Sequence, residues 1–157
     1  AFALFEKYGV LSRIELDSRY RIRVEKYIKE LDIEAGTMYE MVMTSIYPAA
    51  IRYQKELASS IHEVLSVIED DSILVSQKKY LKEFAALASR MKCLAQDLAT
   101  DLKKADKIKD EDEIAEYYCS RIKESMKNLR DCVDEAETCI DDNLWPVPKY
   151  WEILFVN

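Results

Sequence analysis

Apolar residues recur at three- and four-residue steps along most of this chain, the spacing of helices with one buried stripe. The first stretch opens with Ser12-Arg13-Ile14-Glu15, a capping-box pattern in which each side chain satisfies the other's backbone N–H. Leu16, Tyr20, Val24, Tyr27, Ile28 and Leu31 then mark a single helical face. A second helix is predicted from about Thr37 to Ile68, with Pro48 inside it removing one backbone hydrogen bond and kinking it. Between Ala35 and Ile51 the only charge is Glu40, so this half needs cover on most sides. The next two helices show heptads. Leu81, Phe84, Ala88, Met91, Ala95, Leu98, Leu102 and Ala105 alternate three and four apart without a miss. Ala115, Tyr118, Ile122, Ser125, Leu129, Cys132, Ala136 and Cys139 do the same. Each of these helices should be about 45 Å long at 1.5 Å per residue. The charged link from Ala105 to Asp112 would return the chain, giving a long antiparallel helical hairpin. The pattern predicts an all-α fold, a four-helix bundle in one domain spanning 1–157. Residues 1–11 would enter as a strap, 12–142 form the helices, and 143–157 leave as an extended C-terminal strap.

Composition supports long helices and removes several chemistries. The 157 residues include only two Gly and three Pro, so few turns are available. Gly9 and Gly36 stand too far apart to build a phosphate-cradling loop or a dinucleotide-binding turn. Lys and Arg number 23 against 30 Asp and Glu, and the net charge of −7 is unsuited to nucleic-acid backbones. No apolar run reaches the roughly 18 to 20 residues of a membrane span. The four cysteines, Cys93, Cys119, Cys132 and Cys139, form no CxxC pair, which fits a reducing cytoplasm. The start at Ala1 without a Met suggests a piece of a longer protein.

Candidate chemistry is sparse. His62 is the only histidine, and residue 59 is Ser, so the paired Glu-x-x-His of a di-metal bundle site is missing. Cys132 and Cys139 share a face two turns apart, too far for a disulfide, and sit at core positions. The acidic runs Glu69-Asp70-Asp71 and Asp110-Glu111-Asp112-Glu113 stand beside helix starts, where carboxylates favour the positive end of the dipole. Arg19, Arg23 and Lys26 form a local basic stripe that reads as a solvated flank.

Several segments resemble the C-terminal region of type III glutamine synthetases. They are Ala3-Leu4-Phe5-Glu6-Lys7-Tyr8-Gly9-Val10, Ser18-Arg19-Tyr20, Ile33-Glu34-Ala35, Thr37-Met38, Ile46-Tyr47-Pro48-Ala49 and Leu129 to Glu137. The ending Trp145-Pro146-Val147-Pro148-Lys149-Tyr150, followed by Ile153-Leu154-Phe155, looks like that family's terminal strap and is the most specific element. Gly36 departs from the family's usual bulky residue there, and Trp151 from its usual Gly.

The resemblance implies a parent that joins glutamate and ammonia using ATP, with divalent metals and ring-shaped oligomers. The family's metal, nucleotide and ammonium residues lie upstream of the matched part, so no catalytic, cofactor or metal residue is carried onto this chain. The chain then reads as a non-catalytic domain supporting assembly, with the upstream catalytic domain and neighbouring subunits as partners. The contact residues expected from the strap are Trp145, Pro146, Pro148, Tyr150 and Phe155, with Trp151 and Leu154 beside them. The two prolines hold the segment extended and the aromatic rings supply contact area. The rival readings are a free-standing helical adaptor and a small enzyme with a carboxylate or thiol site.

Overall fold

The computed structural model describes residues 2–68 and 70–154, except for the side chains at 2, 3, 71, 150 and 151. Its helices are α1 Phe2–Lys7, α2 Arg13–Met41, α3 Tyr47–Val67, α4 Val75–Ala105, α5 Glu111–Tyr117, α6 Lys123–Glu137 and α7 Tyr150–Leu154. No strand occurs among the described residues. The class is all-α, as the periodicity predicts.

Helix α2 begins where the capping box places it. Glu15 Oε2 accepts from the Ser12 backbone N–H at 2.8 Å, and Ser12 Oγ accepts from the Glu15 backbone N–H at 3.3 Å. These Ser12 hydrogen bonds hold the Glu15 carboxyl below its ordinary pKa. The N-terminal segment expected as an entry strap is described from residue 2. It is helical over α1 and closes in a Schellman-type turn, with Gly9 at φ 61° and Val10 N–H donating to Phe5 O at 3.0 Å.

The expected break between a first and a second helix is absent. The backbone stays helical from Arg13 through a π turn at Val42–Ile46 and on to Val67. Gly36 lies inside this path, and a glycine there costs only about 1 kcal/mol relative to alanine. Burial of Leu31 and Ala35 before it and Val42 after it outweighs that. The π turn lies just ahead of Pro48. Proline lacks an N–H and its ring would crowd the carbonyl of Thr44, so a widened turn relieves both. Among the described residues the long helices therefore number three, where four are expected: α2 continued into α3, then α4, then α5 continued through a second π turn, Tyr118–Ile122, into α6.

Cross-contacts fix their directions. Tyr53 meets Phe84 edge-on at 5.0 Å between ring centroids, and Lys92 lies over the Tyr47 ring, so α3 and α4 are antiparallel. Arg90 pairs with Glu135 near one end of the hairpin and Asp101 with Arg121 near the other, so α4 and α6 are antiparallel too. Asp32 meets Tyr118 and Arg21 meets Glu111, which runs α2 parallel to α5 and α6.

Both heptads face inward. Phe84, Ala88, Met91, Ala95, Leu98 and Ala105 are buried on α4, and Tyr118, Ile122, Ser125, Leu129, Cys132 and Ala136 are buried opposite them. Alanine-rich stripes let the helix axes approach closely, while Met91, Leu98 and Leu129 fill the layers between.

A candidate interface beside Trp145

Beyond α6 the chain turns sharply at Asp141. Its backbone carbonyl accepts from the Leu144 and Trp145 N–H groups, and its side-chain Oδ1 accepts from the Asn143 N–H at 2.8 Å. Lys149 Nζ then reaches back to Ile140 O at 3.2 Å and pairs with the Asp142 carboxylate. These bonds fold the start of the C-terminal segment onto the end of α6. Trp145 is driven into the core and is 8% exposed. Residues 145–149 are non-helical, as two prolines require. The extended strap does not continue: α7 follows at once, its start held by Lys149 N–H donating to Glu152 Oε2 at 2.9 Å.

Trp145 forms one wall of a cavity of about 570 Å³ between α2 and α6. Met38, Met41 and Val42 line one side and Met126 and Val133 the other, with Val147 and Pro148 next to the indole. Ile33 also contributes and is 68% exposed, while Met41 is 43% exposed. The Ala35–Ile51 segment thus obtains most, but not all, of the cover its composition demands. Glu34, Asp134, Glu137 and Arg130 edge the cavity. The indole Nε1 of Trp145 is buried without a hydrogen-bond partner. Such a donor costs about 1–3 kcal/mol against a satisfied one.

Of the five contact residues expected from the strap, Trp145 and Pro148 line this groove and Pro146 is exposed outside it. Tyr150 opens α7, but its side chain lies outside the described residues, as do the Trp151 side chain and Phe155. Leu154 is exposed.

Sequence reasoning missed Asp101. This carboxylate is 1% exposed and accepts from Lys104 Nζ at 2.9 Å, Arg121 Nε at 2.8 Å and Ser125 Oγ at 2.9 Å. Burial pushes its pKa up, but hydrogen bonds from Lys104 and Ser125 and the charges of Arg121 and Lys104 outweigh that, so it stays ionised below its ordinary value. The available signal was Ser125, a hydroxyl in an otherwise apolar stripe, which needs a polar partner across the seam. A carboxylate saturated by two cations and a hydroxyl fastens helices and is not poised to take a proton.

The other candidates stay apart. His62 is exposed on α3. Cys132 and Cys139 are both free thiols, Cys132 buried and Cys139 half-buried. Asp110 caps α5, accepting from the Asp112 and Glu113 N–H groups, and Asp70 caps the turn before α4; Glu69 lies outside the described residues. Arg19, Arg23 and Lys26 are exposed, and Lys26 pairs with Glu30 at 3.5 Å. No group of three or more His, Cys, Asp or Glu among the described residues is placed to hold a metal ion. No described helix is long and apolar enough to cross a membrane.

Comparison with known proteins converges on one family. Residues 1–65 match the family model of the glutamine synthetase C-terminal domain. The chain is 31% identical over 157 residues to the type-3 glutamine synthetase of Dictyostelium discoideum, covering 98% of this chain and 21% of that protein. It is 32% identical over 152 residues to a glutamine synthetase of Butyrivibrio fibrisolvens, covering 97% of this chain and 22% of the relative. A glutamine synthetase of Bacteroides fragilis (strain YCH46) is 30% identical over 151 residues, or 94% of this chain and 21% of its own. The chain spans about a fifth of the length of these curated relatives. With the N-terminal match to the family model and similarity along nearly all of its length, the chain belongs to the glutamine synthetase C-terminal domain family.

Proposed function

We propose that this chain is the non-catalytic C-terminal helical domain of a type III glutamine synthetase, and that it supports the assembly and stability of that enzyme. The whole enzyme would make glutamine from glutamate, ammonia and ATP with divalent metal in the cytoplasm, holding its nucleotide and metal outside these 157 residues.

One observation carries the reading: nearly the whole chain matches glutamine synthetases, yet corresponds to only 21–22% of their length. In line with a contact role, the helices leave an apolar groove beside Trp145. Residues 1–11 and 143–157 would couple the helices to the upstream catalytic domain and to neighbouring subunits of a homo-oligomer.

The test compares the complete polypeptide with a version lacking residues 12–154, by native mass and ATP-dependent glutamine formation. The shortened protein is expected to lose its native oligomeric mass, and the isolated 157-residue chain to form no glutamine. Full assembly without residues 12–154 would overturn the assembly role. Glutamine formation by the isolated chain would overturn its non-catalytic assignment. A complete polypeptide with no synthetase part would favour a free-standing adaptor.

A further inference from the structure

The turn between α3 and α4 is an ordered apolar tip. The Ile68 N–H donates to Val64 O at 2.9 Å, the Asp70 carboxylate accepts from the Ser72 N–H at 2.9 Å, and Leu74 is buried. Four β-branched residues nevertheless stand outward: Val67 is 82% exposed, Ile68 45%, Ile73 51% and Val75 64%. Turns favour Gly, Pro, Asn, Asp and Ser. An apolar residue exposed singly needs no explanation, but four on one short turn form a patch. Their χ1 angles are stiff, so covering them costs little side-chain entropy.

The patch stands at the far end of the helices from residue 1. Helix α6 meets α4 at Leu87 and Arg90, and Cys139 O just after it accepts from the Tyr80 hydroxyl at 3.5 Å. Val75 lies about 8 Å further along α4, toward the turn. Both α2 and α3 lie along α4, and the path from Arg13 to Val67 is about 80 Å at 1.5 Å per residue. The 157 aligned residues are 21% of the Dictyostelium relative, which leaves about 590 residues outside the matched part. A compact body of that size is about 65 Å across. Joined at the N-terminal end of a C-terminal domain, such a body falls short of the tip. Another subunit is then needed to cover it.

Charge narrows what that subunit presents. Residues 56–77 carry five Asp and Glu and no Lys or Arg. Two such tips set against each other would bring like charges together. We infer that the α3–α4 tip seats in an apolar hollow edged by lysine or arginine on a neighbouring subunit of the enzyme, in the part outside these 157 residues. The inference rests on the assembly reading for the existence of neighbouring subunits. The patch and its charge rest on this chain alone.

The experiment uses the complete polypeptide in its assembled state. A photoreactive benzoylphenylalanine replaces Val67 and, separately, Val75, and the irradiated protein is run under denaturing conditions. A cross-link between subunits doubles the mass; one within a subunit leaves it unchanged. At least one position is expected to give the doubled mass, mapping to a neighbour's segment outside these 157 residues with more Lys and Arg than Asp and Glu. Val67→Lys and Val67→Glu both remove the valine and differ in the sign of the charge they add. Sedimentation is expected to show Val67→Lys dissociating at a protein concentration about tenfold or more above that for Val67→Glu. Cross-links confined within one subunit, or reaching residues 62–77 of a second copy, would overturn the inference. So would no cross-link from either position, or equal dissociation of the two variants. These readings are separate from the deletion of residues 12–154. Full assembly after that deletion, with the doubled mass still seen in the complete enzyme, defeats the assembly role and leaves the tip contact standing. Collapse on deletion without any cross-link keeps the assembly role and removes the tip contact.

Discussion

Arg121, carried on the π turn between α5 and α6, donates its Nε to Oδ2 of Asp101 on α4 at 2.8 Å. The same oxygen accepts from Ser125, and Lys104 serves the other one. One carboxylate therefore fastens both arms of the hairpin near its closed end. Asp101→Ala should destabilise by about 2 kcal/mol in urea unfolding. The figure stays modest because Lys104 and Arg121 are about half exposed and can turn to water. Because the folded pKa of Asp101 is lowered, its contribution is fully present above the unfolded value of about 3.9 and is lost as pH falls through the folded one. An acid series should show this loss in the parent chain and its absence in Asp101→Asn.

Trp145 supplies the largest ring seated at the end of α6. Trp145→Ala should lower stability by about 3–5 kcal/mol. Trp145→Phe keeps much of the ring and removes the unpaired N–H, so its cost should be below about 1.5 kcal/mol. Thermal melts of the two variants check both values. An unchanged melt for Trp145→Ala would mean that the C-terminal segment does not hold the bundle together.

Tyr118 is 2% exposed and donates its hydroxyl to Asp32 at 2.7 Å, linking α2 to the hairpin. Tyr118→Phe should cost about 1 kcal/mol, since Asp32 lies at the surface and water replaces the lost partner. A double-mutant cycle with Asp32→Ala should return a coupling of the same size.

The two glycines should respond in opposite directions. Gly36 is helical at negative φ, and an added Cβ meets nothing within 4 Å, so Gly36→Ala should stabilise by about 0.5–1 kcal/mol. Gly9 is equally uncrowded but sits at φ +61°, so Gly9→Ala should destabilise by about 1 kcal/mol. Melting temperatures moving in the same direction would contradict the continuous α2 or the left-handed turn.

Local chemistry accounts for much of this protein without reference to its packing. Ser12 and Glu15 are neighbours along the chain, so a capping box is legible from their spacing. The heptads are legible because a helix repeats its buried face at fixed intervals, and Leu81 to Ala105 and Ala115 to Cys139 keep that interval without error. Family membership was legible from the motifs at both ends.

Other features depended on partners far apart in the chain. Whether Gly36 breaks a helix turns on burial of Leu31 and Ala35 by segments much later in sequence, and a glycine's propensity is too small to decide it. Asp101 looks like an ordinary surface acid until Arg121 and Ser125 arrive from the opposite helix. The groove and the unpaired indole of Trp145 exist only where α2, α6 and the returning C-terminal segment meet. Periodicity along one helix records which side is buried; how closely two helices approach depends on every side chain between them.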